Sequence, residues 1–448
     1  MRHSDDSDPV RASRDAVAQS VAKHVRPGEP VAIALSGGRD SVVLLDALLH
    51  SGALSGLTAL HVHHGLSTHA DAWQRFCASL CAARGVPLTV RAVTVPRTPQ
   101  SSLEGEARRQ RYAALAAVAI ADGIRVVALA HHRDDQAETL LLQLLRGAGP
   151  QGLAGMPAVR TDARGITWLR PLLEVPRSSI DAYAQAAGLV YVDDDSNADA
   201  RHRRNAVRQF VMPALAAVFP APGATLARAA AHQADAALLA DDLATLDARA
   251  AGDGATLDRA VLAALPAHRA RNLLRWFLRQ RGLAAPSTAR LAAMLDQLTR
   301  SRGDAHVRLL HAGVALGLHG GRIHVHATAP PPFDLPWQGE RELALPHGRL
   351  AFERVDGAGI DVARLAAGPV HVRPRSGGER LQLAANRPRR ALKAILQDAG
   401  MPVWERVALP LVYCGDALAA APGIGVDTGF ATAPGYAGIA ISWHPACV

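Results

Sequence analysis

Between Val31 and Val192, short runs of Val, Ile, Leu and Ala alternate with helix-length stretches, and this alternation constrains the fold more than any other feature of the chain. Parallel strands joined by helical crossovers read this way, because such strands are covered on both faces and carry no polar side. The strand candidates are "VAIAL", "LTALHVH", "LTVRAVTV", "RVVALAH" and "ITWL". Helices are expected near Ser41–His50, Thr68–Arg84, Ser102–Ala121 and Asp135–Leu145, the third opened by a capping box of Ser101 and Glu104.

One interruption of the pattern asks for chemistry. In "VAIALSGGRDSVVLLDALL", Val31–Leu49, two apolar runs are separated by Ser-Gly-Gly-Arg-Asp-Ser. A strand that turns through glycine straight into a helix gathers unpaired N–H groups and partial positive charge at one point, which suits a phosphate. Gly37 and Gly38 let the backbone approach an anion, Ser36 and Ser41 add hydroxyls, and Arg39 completes the cradle. Asp40 is out of place beside phosphates unless a cation lies between them, so it implies Mg²⁺. No Gly-Lys-Ser/Thr follows, so the loop is not a Walker A motif, and the spacing is not that of a dinucleotide fingerprint.

A second constellation is "ALAHHRDDQAETLLLQLLRG", Ala128–Gly147. A strand ends at His131 and His132, and Asp135, Glu138 and Thr139 fall on one side of the helix that follows. In a doubly wound sheet the C-terminal ends of neighbouring strands face one crevice, so this segment and the Ser-Gly-Gly loop are expected at the same ligand. Adjacent histidines without a third converging ligand do not make a zinc site. Carboxylates beside a phosphate suit Mg²⁺ or an amine, and Asp135 also suits helix capping.

The remaining organisation follows from texture. A chain of 448 residues is long enough for two or three domains. Residues 1–218 form the expected nucleotide-binding catalytic domain. Residues 219–328, beginning at "PAPG", read as a mainly helical middle domain ending in a hairpin. A linker with leading strands, 329–366, opens with the proline-stiff "APPPFDLPW", and 367–448 read as a compact α+β domain. The formal charge of +9 and pI near 10.1 point to a polyanionic partner. Cys77, Cys81, Cys414 and Cys447 form no C-x-x-C pair. Neither a signal-peptide core nor a membrane-length apolar run is expected, so the chain reads as cytoplasmic.

The Ser36–Ser41 loop resembles the S-G-G-x-D-S loop of the PP-loop ATP pyrophosphatases, which cleave ATP between its α- and β-phosphates. "HVHHGLSTHADAW", "AHHRDDQAET", "LRGAGPQGLAGM", "RPLLEVPR", "DDSNADARHRRNAVR" and "RPRSGGERLQLAANRPRRALKAILQDAGMPVWERVALPLVY" follow in order. Together they resemble the bacterial tRNA(Ile)-lysidine synthetase family from Val31 to about Val426. The resemblance implies a Rossmann-like parallel-sheet PP-loop domain, a helical middle domain and a small α+β C-terminal domain. It also implies an activity: O2 of the wobble cytidine in a CAU anticodon attacks the α-phosphate of ATP, and free lysine then displaces AMP from C2. The implied partners are tRNA(Ile), L-lysine, ATP and Mg²⁺, with a homodimer left open.

On this resemblance Asp40 takes the metal, Glu138 or Asp135 holds an amine of lysine, and His131 or Asp135 accepts a proton from it. The glycines of Gly147–Gly155 either line a pocket for the base or make a flexible loop. Asn197 and Asn205 hold the preceding turn, while Arg204 and Arg208 meet the tRNA or the triphosphate. Arg275, Arg279, Arg373, Arg375, Arg380, Arg387, Arg389, Arg390 and Lys393 are expected to grip the tRNA backbone. A 2-thiocytidine enzyme would need paired cysteines, whereas Cys77 and Cys81 read as buried small residues on one helix. A glutamine amidotransferase would need a nucleophilic cysteine that is not evident. A non-catalytic nucleotide or tRNA binder would have no need of Asp40.

Overall fold

The computed structural model describes residues 8–446 apart from 53, 64, 66, 95, 97–102, 194–198, 253 and 302–306. Asn197 and the Ser101–Glu104 capping box therefore lie outside the described residues and side chains. The first of two structural units ends at Leu239. It is built on strands β1 (Val31–Ala34), β2 (Leu57–His63), β3 (Leu88–Ala92), β4 (Val126–Ala128), β5 (Val159–Thr161) and β6 (Thr167–Leu169). They form one sheet in the order β3-β2-β1-β4-β6-β5, parallel throughout except for β5, which runs antiparallel to β6 at the edge. The expected parallel sheet is thus present, with β5 as an addition. β5 ("VRT") has one apolar residue and its other two are exposed, so no apolar run marks it in the sequence.

The first seven helices of this unit are α1 (Pro9–His24), α2 (Arg39–His50), α3 (Ala70–Ala83), α4 (Leu103–Ala121), α5 (Arg133–Leu144), α6 (Pro150–Leu153) and α7 (Arg177–Ala186). Strand order reverses between β1 and β4, so the crevice beyond their C-terminal ends lies between the Ser36–Gly38 turn and the start of α5. Helix α2 is buried from Ser41 to Leu48, which explains its almost wholly apolar sequence. Its one buried carboxylate, Asp46, accepts hydrogen bonds from Tyr183 Oη (2.6 Å), Arg14 (3.1 Å) and Arg84. Burial alone would raise the Asp46 pKa, but these donors hold it below the usual carboxylate range. They tie α2 to α1, α7 and the end of α3, and so fix the helix whose first turn carries Asp40.

The second unit begins at Ala240, inside a helix that runs from Pro222 to Ala251. The "PAPG" segment leads into that helix, as its sequence suggests: Pro222 opens it, and proline is well tolerated in a first turn where its missing N–H has no partner to lose. Helices Ala267–Gln280 and Thr288–Arg300 share a core with a four-stranded antiparallel sheet through Phe277, Met294, Leu316 and Ile323. Beyond it, Leu335–Trp337 and Gly348–Asp356 belong to the same two antiparallel sheets as Val370–Pro374 and Ala437–Pro445. Leu350, Phe352 and Ile360 share a core with Val372, Val412 and Ile439, so the leading strands of 329–366 are built into the C-terminal fold. No single helix among the described residues is long and apolar enough to cross a membrane.

Candidate active site

The Ser-Gly-Gly turn is a closed ring of hydrogen bonds. Gly38 N donates to Ser36 Oγ (3.3 Å), the Ser36 and Ser41 hydroxyls lie 3.1 Å apart, and Ser41 Oγ donates to Gly38 O (2.8 Å). Ser41 is buried and its hydroxyl is engaged inside the turn, whereas Ser36 is exposed. Gly37 has φ +87°, and a Cβ there would stand 3.1 Å from both Cys77 Sγ and Val192 Cγ2. Conformation and space both demand glycine at this position. Gly38 caps α2 with φ −71° and would tolerate a Cβ, so the two glycines are not equivalent.

Arg39 reaches sideways to Asp181 on α7 (2.5 Å) and back to Asp40 (3.3 Å). Asp40 keeps about a third of its side chain open, and its Oδ2 lies 3.7 Å from His132 Nε2. The same nitrogen lies 3.6 Å from Asp135 Oδ2. The two motifs therefore meet as the topology required, with the buried His132 between their carboxylates. Sequence reasoning favoured His131 of the pair. Which of two adjacent histidines faces the crevice depends on where β4 ends, and that is not visible in "ALAHHRDD".

His131 itself is crowded by protein, which pushes its pKa down to about 3 against the pull of Asp135. Such an imidazole is a weak acceptor for a proton from an amine. Asp135 accepts from His132 N (3.0 Å), half of a capping box, and pairs with Arg208 at 3.3 Å. Burial would raise its pKa, but the charges of His132 and Arg204 and the His132 amide hold it low. Glu138 accepts from Arg204 Nε (2.9 Å) and from Arg208 Nε (2.6 Å) and Nη2 (2.9 Å). Arg204 also reaches Thr139 Oγ1 at 3.0 Å. Arg204 and Arg208, expected to meet tRNA or triphosphate, are thus held by Asp135 and Glu138 of α5. Asn205 donates to Asp199 O (3.0 Å), a loop-holding contact as expected.

The Gly147–Gly155 loop is pinned. Gln136, buried beside Asp135, donates to Met156 O (2.7 Å) and accepts from Met156 N (2.6 Å). Gly155 has φ +67°, and a Cβ on it would strike Gln136 Oε1 at 2.6 Å. Gln136 and Asp181 escaped the sequence reading because nothing local marks their partners.

The basic residues of the second unit are mostly paired. Arg279 binds Asp241, Arg373 binds Asp334, Arg375 lies by Glu379, Arg389 binds the buried Asp427, and Arg390 binds Asp398. Arg380 donates to Arg389 O at 2.8 Å. Arg275 is half-buried on the helix Ala267–Gln280, while Arg387 and Lys393 are exposed. Cys77 and Cys81 are buried as expected, and burial pushes the Cys77 thiol up to about 12.

Family models described as the PP-loop domain, the TilS substrate binding domain and the TilS substrate C-terminal domain match residues 11–215, 257–324 and 370–443. Two tRNA(Ile)-lysidine synthases decide the matter. The protein from Nitrosomonas europaea is 42% identical over 96% of this chain and 95% of its own length. The protein from Ralstonia nicotianae is 43% identical over 96% of this chain and 97% of its own. This chain belongs to the tRNA(Ile)-lysidine synthase family. Among solved structures, the U34-tRNA thiolase of Methanococcus maripaludis is 17% identical over 50% of this chain and 78% of its own, with a TM-score of 0.43. In this lysidine synthase family member, the PP-loop match spans both halves of the Asp40–His132–Asp135 cluster.

Proposed function

We propose that this enzyme uses ATP to adenylate O2 of the wobble cytidine in a CAU-anticodon tRNA(Ile), releasing pyrophosphate, and then joins the amine of free L-lysine to C2 with loss of AMP. One observation carries the reading: in a chain of this family, Asp40, just after the Gly-rich turn, and Asp135, at the start of α5, each lie within 4 Å of the His132 ring at the switch point of the sheet. Cytidine O2 is a poor leaving group, and adenylation makes it a phosphate ester. The charge that develops as pyrophosphate departs is met by the N–H groups at the start of α2.

Asp40 fits a magnesium ion by its position. Among the described residues no three acidic, His or Cys groups converge to hold a metal alone. An ion shared between one carboxylate and substrate phosphates needs no such cluster. Magnesium bound there would offset phosphate charge. The amine of lysine requires a carboxylate. Asp135, with 12% of its side chain open, suits this better than Glu138 at 2%, whose oxygens are taken by two guanidiniums.

The deciding experiment supplies labelled lysine, ATP and Mg²⁺ to the enzyme with either a CAU-anticodon isoleucine tRNA or the elongator methionine tRNA. Label is expected in the isoleucine tRNA only; equal labelling of both would overturn the substrate assignment.

The pairing of the basic residues makes a second expectation. Arg387 and Lys393 are exposed members of the expected phosphate-binding set, so Arg387→Ala and Lys393→Ala should each lower the slope of log K against log salt by about 0.7–0.9 in tRNA binding. Arg389→Ala, which strips a partner from the buried Asp427, should instead cost stability. Filter binding across a salt series and thermal unfolding separate the two effects.

A further inference from the structure

We propose that His61, outside both motifs of the site, is a positioning residue that sets the first peptide plane of the phosphate loop. The inference rests on the reading that Ser36–Ser41 holds the phosphates of ATP. Strands β1 and β2 run parallel in the register Ala34↔Leu60, and the last rung is Leu35 N to Leu60 O at 2.9 Å. After Leu35 the chain turns away into the loop. There the Leu35 carbonyl accepts a hydrogen bond from His61 Nδ1 at 2.8 Å, inside the protein. A carbonyl only accepts, so Nδ1 carries the proton. Burial, with His63 nearby, pushes the His61 pKa below the usual imidazole range, which keeps the ring neutral and this tautomer in place.

The other end of the same peptide unit is held as well. Ser36 N donates to Ser41 Oγ at 3.3 Å. A trans peptide is planar, with its C=O and N–H opposed, so fixing both ends leaves the Leu35–Ser36 unit no rotation. Everything downstream inherits that orientation: the left-handed Gly37, the cap at Gly38, and the aim of the first N–H groups of α2. His61 contributes no atom to the loop. It determines where the loop begins.

The side chain alone can be tested. His61→Leu keeps an apolar volume and removes the donor, whereas the amide of His61→Asn can donate from a place near that of Nδ1. Pyrophosphate release is followed against ATP concentration with tRNA saturating, alongside tRNA binding. For His61→Leu, kcat/KM for ATP should fall about tenfold or more, with tRNA affinity within about twofold of the parent and with His61→Asn recovering most of the loss. Unchanged ATP kinetics in His61→Leu would overturn the proposal, as would a His61→Asn enzyme no better than His61→Leu. If His61→Leu does not fold, His61→Asn decides: parent-like ATP kinetics support the role and a tenfold loss rejects it. Gly37→Ala, measured in parallel, separates the two readings. Parent-like ATP kinetics in Gly37→Ala would remove the phosphate loop itself, while a crippled Gly37→Ala beside a normal His61→Leu would remove only the role of His61.

Discussion

Asp40→Ala should abolish measurable pyrophosphate release, a loss of at least about a hundredfold to a thousandfold, while tRNA binds within about twofold of the parent. The geometry says why the effect falls on chemistry and not on folding. Asp40 is partly open, its contacts are the neighbouring Arg39 and His132 at 3.7 Å, and Arg39 retains Asp181 when the carboxylate is gone. What the fold loses is a negative charge in the first turn of α2, worth about 0.3–1 kcal/mol. Thermal unfolding should therefore shift by only a few degrees. A carboxylate makes no favourable contact with an RNA phosphate, so tRNA affinity should hold. Turnover at the parent rate would defeat the assignment of Asp40 to the metal and turn attention to Asp135, which approaches the same nitrogen of His132.

The parts of the site that were legible in the sequence are those written in one continuous segment. "VAIALSGGRDS" reads as strand, turn and helix because apolar burial and glycine conformation are local matters, and the topological rule then places α5 beside it. Contacts that join distant segments left no such trace. Glu138 reads as an open acidic group until Arg204 and Arg208, some seventy residues on, are folded onto it. The C-terminal arginines read as a phosphate-binding run because their acidic partners, Asp334, Asp398 and Asp427, are spread over the surrounding sequence. A formal charge of +9 counts both kinds of arginine alike. His61 falls in the same class: its partner is fixed by strand register, a property of the sheet and not of "HVHHG". The edge strand β5 is invisible for a different reason: with one apolar residue and two exposed ones it offers no apolar run, whereas the equally short β4 and β6 do.

Glu138 carries the second large expectation, because its role as a pin and its role as a lysine holder predict opposite readouts. Its carboxylate is almost wholly buried and faces two guanidiniums that keep about a quarter or less of their side chains open. Removing it leaves two positive charges against Asp135 alone, and breaking a buried pair of this kind costs about 3 kcal/mol. In a unit of this size that corresponds to a fall of roughly 6–12 °C in the unfolding midpoint of Glu138→Ala. Adding Arg208→Ala should return part of the loss, since one of the stranded charges goes with it; a double-mutant cycle measures the coupling directly. A residue that only holds the amine of lysine behaves otherwise. Its loss would raise the KM for lysine and leave the midpoint where it was, because nothing in the resting protein depended on it. A Glu138→Ala enzyme that melts within about 2 °C of the parent would therefore reject the pin and return Glu138 to the lysine site. A large drop with a coupling energy to Arg208 above about 1 kcal/mol would leave Asp135 as the carboxylate that meets the substrate.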